Sequence, residues 1–233
     1  PPLPTKVSTA DDHETILDSY KLLWRTVVTL KREAPHTLFF LIASAVFRDG
    51  LAGVFTFGAV LAKTAFGFSA SDVMIFAIAA NIVAGLATVA FGWVDDKIGP
   101  KNVIMLSLSA MVVAGFGVFF LHAHGPIVFW SLGLVLCVFV GPTQSASRSF
   151  LSRIIPAGRE GEVFGLYATT GRAVSFMAPA MYGLFLMIGK RMTPAGADYT
   201  YWGILGIMLI LGVGLALTAP VKAERATLDH MAD

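Results

Sequence analysis

Charge is scarce in this chain. Only 14% of its 233 residues are Asp, Glu, Lys or Arg, against roughly 25% in an ordinary soluble domain. Hydrophobic residues make up 56% and the mean hydropathy is +0.73. That balance excludes a soluble globular protein and predicts an integral membrane protein. The formal net charge of +2 is too small to suggest nucleic acid, and no stretch interleaves basic and aromatic residues. One cysteine is present, Cys137, so no intrachain disulfide or cysteine metal cluster can form. No G-x-x-x-x-G-K-[ST] loop occurs, which excludes an ATP-driven pump of that type. Neither G-x-S-x-G nor H-E-x-x-H occurs, so no familiar hydrolase or zinc protease is expected, and the chain reads as no enzyme. His122 and His124 lack a nearby third ligand, so no metal or other cofactor is expected. The polar, proline-rich start carries no signal peptide and no initiator methionine, which predicts a processed chain or one cut from something longer.

What the chain does have is long apolar runs. Six of them, at residues 36–61, 71–91, 103–121, 127–149, 163–188 and 199–219, each reach about 20 residues. That is enough to cross about 30 Å of hydrocarbon as a helix. The predicted fold is therefore all-α, with six transmembrane helices over residues 36–219. Residues 1–35 read as a linker followed by an amphipathic helix, with Ile16, Tyr20, Leu23, Trp24 and Val27 on one face. Both a membrane-surface helix and one packed on protein fit that pattern. Residues 220–233 read as a tail. Lys21, Arg25, Lys31, Arg32, Lys97, Lys101, Arg148, Arg153, Arg159, Lys222 and Arg225 fall at one set of span ends. Only Lys63, Lys190 and Arg191 fall at the other. The positive-inside rule then places both termini in the cytoplasm.

Polarity recurs along the spans. The first carries Arg48 and Asp49, the second Asn81, and the third no charge or amide. The fourth carries Gln144 and Arg148, the fifth Thr169, Thr170 and Arg172, and the sixth again no charge or amide. A three-span unit repeated once is inserted upside-down the second time, so two inverted three-helix repeats are expected. The third and sixth spans, bare of such groups, agree with an inverted-repeat fold in which the third helix of each repeat faces lipid.

Residues 92–101, G-W-V-D-D-K-I-G-P-K, read as a short, charged, glycine-bounded turn between two apolar runs. Gly92 and Gly99 suit a close approach and a sharp reversal. Asp95, Asp96, Lys97 and Lys101 sit where water reaches the membrane surface. The spacing G-x-x-x-D-K-x-G-x-K resembles the cytoplasmic signature loop of the major facilitator superfamily, with Pro100 replacing one basic position. Three stretches, F-R-D-G-L-A-G-V-F-T-F-G from Phe47, F-G-W-V-D-D-K-I-G-P-K from Phe91 and V-G-P-T-Q-S-A-S-R-S-F-L-S-R-I-I-P from Val140, narrow the resemblance. In order and spacing they resemble the carboxyl-terminal six helices of bacterial permeases related to fungal autophagy-linked vacuolar effluxers. The resemblance implies half a transporter, partnered by an amino-terminal six-helix half or a second membrane subunit. It implies a bacterial inner membrane and a small organic solute, with amino acids as one candidate class. It also implies a latch between the loop, preferably Asp96, and Arg148 or Arg153.

Arg48 and Asp49 lie deep in the first span, where an unpaired charge costs about 2.5–3.5 kcal/mol on insertion scales. Each needs a partner or a wet cavity, so binding of substrate or a proton stands beside a structural ion pair. Asp49 is the only carboxylate that deep, which makes it the candidate proton-coupling site, and Arg172 is its candidate partner. Gln144, Ser147 and Arg148 share one helix face. Pro142 is expected to interrupt the fourth span there. Arg48, Asp49, Asn81, Gln144 and Arg172 are thus the predicted solute or proton site. Gly85, Gly92, Gly161 and Gly165 are expected to serve helix packing. The function expected is secondary active transport. A non-transporting scaffold subunit and a self-paired half-transporter stay open, and all three readings share the lipid bilayer as partner.

Overall fold

The structure, a computed structural model, describes residues 16–222, with side chains from Arg25 onward. The linker expected at the start and most of the expected tail lie outside the described residues. So do the side chains of Tyr20, Leu23 and Trp24. Every regular element among the described residues is helical, and six helical spans are long and apolar enough to cross a membrane. α1 runs Ile16–Glu33, α2 Pro35–Ala65, α3 Ala70–Ile98 and α4 Pro100–Phe120. The fourth span begins as α5, Pro126–Val128, and widens through Phe129–Gly133. It continues as α6, Leu134–Val138, and α7, Val140–Ile154. The fifth divides into α8, Glu160–Ala173, and α9, Met177–Met192, and the sixth is α10, Gly203–Thr218.

Helix ends follow local chemistry. Pro35 and Pro100 open α2 and α4, where a missing N–H removes a donor that would be unpaired anyway. Ser69 and Asp72 cap the start of α3 reciprocally: the Asp72 N–H donates to Ser69 Oγ, and the Ser69 N–H donates to Asp72 Oδ2. Most of the 92–101 stretch is helix, not turn. α3 continues to Ile98, and the reversal falls on Gly99 alone, at φ +82°, a backbone that favours glycine. Lys101 donates from Nζ to the carbonyl of Ala219 at 2.7 Å and so ties this rim to the end of α10.

The packing scheme matches an inverted repeat. Span one packs on spans five and six, and span four correspondingly packs on spans two and three. The pairs five–six and two–three also touch, as do the two leading spans, one and four. Exchanging one with four, two with five and three with six leaves this scheme intact. Phe40, Phe47 and Phe150 fill the centre, with Phe40 and Phe150 edge to face at 4.7 Å.

Coverage differs between the spans. The third and sixth spans have 44% of their apolar windows buried within the described bundle, and the second and fifth only 17%. The open faces thus belong to spans two and five. The glycines expected to pack confirm where those faces lie. A Cβ on Gly85, Gly92, Gly161 or Gly165 would meet nothing within 4 Å. Close contacts are made instead by Gly50 against Leu211, Gly206 against the Met181 backbone, and Gly214 against Phe47. Spacing alone could not separate inward from outward glycines.

α1 settles on protein over its described side chains. Leu30 is fully buried and Thr26 nearly so, and the helix lies against α2 and α8. Thr26 Oγ1 donates to Glu162 Oε2, and Arg159 pairs with Glu33 at 3.2 Å. Glu33 is exposed and Arg159 partly so, and such a surface pair adds little stability.

Candidate functional site

Spans one, four and five enclose an open cavity of about 410 Å³. Arg48, Asp49, Gln144, Arg148 and Arg172 line it, together with Tyr167, Gly171 and Ser175. Four of the five predicted solute-site residues therefore share one space, joined by Arg148 from the predicted gate. Asn81 does not. It sits exposed on α3, and its side-chain amide donates to the Ala77 carbonyl at 2.8 Å. A separate crevice lined by Phe57, Phe76, Phe129 and Ile207 is almost wholly apolar and has about 20 Å³ of internal space. That is near the volume needed for one water, so it is no solute site.

The helix break at the cavity wall comes from Pro179. Its ring has no N–H for the Ser175 carbonyl and crowds that carbonyl. The fifth span accordingly opens at residues 174–176 and restarts as α9 at Met177. The restart leaves the Ala178 N–H without its usual place in a continuous ladder. Asp49 takes it: Oδ2 accepts from Ala178 N at 2.6 Å. A carboxylate at a helix N-terminus also meets the positive end of the helix dipole. Gly53, one turn on from Asp49, lets α2 come close, since a Cβ there would sit 3.0 Å from the Ala178 Cβ.

The expected Asp49–Arg172 pair does not form. Asp49 is 6% exposed and its described partner is the Ala178 backbone, while Arg172 makes no ion pair among the described residues. The helix-start N–H satisfies the carboxylate that the arginine was expected to satisfy. Arg48 is held differently. Nη1 donates to the Tyr167 carbonyl at 2.8 Å, and the guanidinium lies over the Tyr167 ring at 3.9 Å from its centroid. Tyr167 is fixed in turn by its hydroxyl, 2.9 Å from Ser147 Oγ. Gly171 gives the guanidinium room, because a Cβ there would lie 3.1 Å from Nη1.

Tyr167, Gly171 and the Pro179 break escaped the sequence reading. The signal for Pro179 was available, since the same proline rule was applied at Pro142. There the break falls at Phe139, beside the Val138 carbonyl that Pro142 cannot serve, and α7 restarts at Val140. Thr143 donates from both N and Oγ1 to the Phe139 carbonyl at the break, at 3.1 and 2.6 Å.

At the rim bearing Gly99, the two aspartates part company. Asp95 turns toward the fourth span, in a small recess lined by Phe91, Val103, Pro142 and Ala146, and its Oδ1 is buried without a hydrogen-bond partner. Asp96 is exposed and on the open side of α3, one turn beyond Gly92. Neither forms an ion pair with Arg148 or Arg153 among the described residues. Lys97 is exposed, and Lys101 is engaged with Ala219. At the opposite rim His122 stacks on Tyr201 at 3.5 Å between ring centroids, and its Nδ1 lies 2.7 Å from the Phe119 carbonyl.

Comparison with known proteins agrees with this architecture. An uncharacterized MFS-type transporter of Bacillus subtilis, YxiO, is 20% identical over 212 residues, covering 91% of this chain and 47% of its own length. Autophagy-related protein 22-1 of Aspergillus fumigatus is 26% identical, covering 92% of this chain and 36% of its own. "Probable nitrate/nitrite transporter NarK2" of Mycobacterium tuberculosis is 27% identical over 154 residues, 65% of this chain and 36% of its own. The chain thus spans half or less of the length of these relatives. The family model described as vacuole effluxer Atg22 like matches residues 1–229. With that match spanning nearly the whole chain, the chain belongs to the Atg22-like family of the major facilitator superfamily.

Proposed function

We propose that this chain is the carboxyl-terminal six-helix half of a secondary active transporter. It moves a small organic solute, with amino acids as one candidate class, by rocking against an amino-terminal half or a second membrane subunit. One observation carries the reading: the cavity between spans one, four and five gathers three arginines, an aspartate and a glutamine inside an otherwise apolar bundle. Ionisable groups at that depth mark solute or ion pathways by default. The poorly covered faces of spans two and five, with Gly85, Gly92, Gly161 and Gly165 on them, suit a mating half that approaches closely. The rim rich in Lys and Arg is the cytoplasmic one, in a bacterial inner membrane.

The test is flux in proteoliposomes containing the intact protein, with and without a pH gradient. Saturable, gradient-dependent uptake of a small solute is expected. A folded protein that moves none of a broad solute panel would favour the scaffold reading.

Asp96 belongs to the gate in this proposal. Its exposed position on the open side of α3 would let it form a contact with the mating half in one conformation only, as a gate requires. Asp96→Asn should cut the transport rate severalfold while leaving the unfolding temperature within about a degree of wild type. Wild-type flux in that variant removes Asp96 from the gate.

A further inference from the structure

We infer that the cavity selects solutes carrying two carboxylates. The inference deepens the proposed transport function and rests on it for its physiological meaning. Its starting point is charge. Arg48, Arg148 and Arg172 line the space with a single carboxylate, Asp49, so the lining sums to 3 − 1 = +2. Asp49 is already committed to the Ala178 N–H at the start of α9. Its negative charge is shared with the positive end of a helix, which leaves less of it for the arginines. Arg148 and Arg172 have no ion-pair partner among the described residues. Two such cations facing one open cavity at membrane depth attract a compensating dianion.

Geometry adds to charge. A guanidinium presents planar, forked donors that match a carboxylate with two parallel hydrogen bonds. Arg48 is held in place before any solute arrives, by the Tyr167 carbonyl and ring and by the space at Gly171. Only one of its donors is used there. A side chain already fixed loses less freedom on binding. Gln144 adds an uncharged donor and acceptor to the same wall. The volume of about 410 Å³ admits a short organic dianion with some water. It is much larger than a single inorganic oxyanion such as nitrate requires.

The experiment titrates purified intact protein in detergent with four probes: succinate, nitrate, leucine and putrescine. The rise in unfolding temperature reads binding. Succinate should bind saturably and at least tenfold more tightly than nitrate or leucine, and putrescine should not bind. Arg172→Gln should weaken succinate at least tenfold. Arg172→Lys, which keeps the charge and loses the fork, should fall between. The ranking of probes on the wild-type protein stands even if a variant misfolds. Tighter binding of leucine or putrescine than of succinate would overturn the inference, as would wild-type succinate affinity in a folded Arg172→Gln protein. An absence of succinate binding would do so too, and would indicate that carboxylates of the mating half neutralise the arginines. Leucine flux without succinate binding would defeat this inference alone. Succinate binding without flux of any solute would defeat the transport proposal alone.

Discussion

Asp49→Ala should unfold at a lower temperature than wild type, whereas Asp49→Asn should fold nearly normally and lose its response to a pH gradient. The two substitutions separate two roles of one side chain. Alanine removes the acceptor from the Ala178 N–H and leaves a buried donor unpaired at the start of α9. An orphaned buried donor costs about 1–3 kcal/mol. Asparagine keeps an oxygen where Oδ2 stands, so the hydrogen bond survives and only the charge is lost. The charge at the helix start is worth about 0.3–2 kcal/mol, less than the orphaned donor at its upper end. The functional effect runs the other way. Asp49 is the sole carboxylate deep in the spans among the described residues, and asparagine cannot take up and release a proton. Gradient-driven flux should therefore collapse in both variants, while exchange of solute across the membrane survives in Asp49→Asn. A thermal unfolding series with paired flux assays checks both halves. Undiminished gradient dependence in Asp49→Asn would move coupling away from this residue.

Gly206→Val should fail to give a stable bundle. A Cβ at Gly206 would collide with the Met181 carbonyl group and lie 2.8 Å from the Tyr182 nitrogen. These are backbone atoms of α9, so no rotamer change relieves the clash and the two helices must part. Overpacking a well-packed core typically costs about 1–3 kcal/mol and occasionally more. Here the displaced body is a whole helix whose first turn, three residues before Met181, carries the Asp49 contact, so disruption should spread to the cavity. Gly161→Ala is the control. Open space surrounds that position, and replacing glycine in an exposed helix with alanine gains about 1 kcal/mol of helix propensity. Gly161→Ala should thus fold at least as well as wild type, and any loss of transport would report on the mating face. Yield and monodispersity after detergent extraction distinguish the two. A Gly206→Val protein as stable as wild type would contradict the α9–α10 packing.

The spans were legible because each is a long apolar run, and their order of polarity anticipated the inverted repeat. Arg48, Asp49, Gln144 and Arg172 were legible as a group because charge and amide at membrane depth are conspicuous. What the sequence could not convey was partner choice. Asp49 met a backbone N–H instead of Arg172, because a proline 130 residues away in the chain opened the fifth span beside it. Tyr167 looked like one more aromatic in an apolar run, and only its position under Arg48 gives it a role. Glycine spacing marked Gly161 and Gly165 as strongly as it marked Gly50 and Gly206. Direction around the helix axis, which decides whether a glycine packs, depends on neighbours that no local pattern encodes. The open apolar faces of spans two and five were not legible either, since only the packed bundle shows which spans its own helices leave uncovered.

The central claim is that water and solute reach the charged cavity between spans one, four and five. Cys137 is buried, so the chain offers a quiet background for a single introduced thiol. Gln144→Cys places one on the cavity wall. A membrane-impermeant, water-soluble thiol reagent should label it in intact proteoliposomes, and transported solute should slow that labelling in proportion to occupancy. A thiol at residue 144 that resists aqueous reagents in every condition and reacts only with a lipid-soluble one would contradict the account.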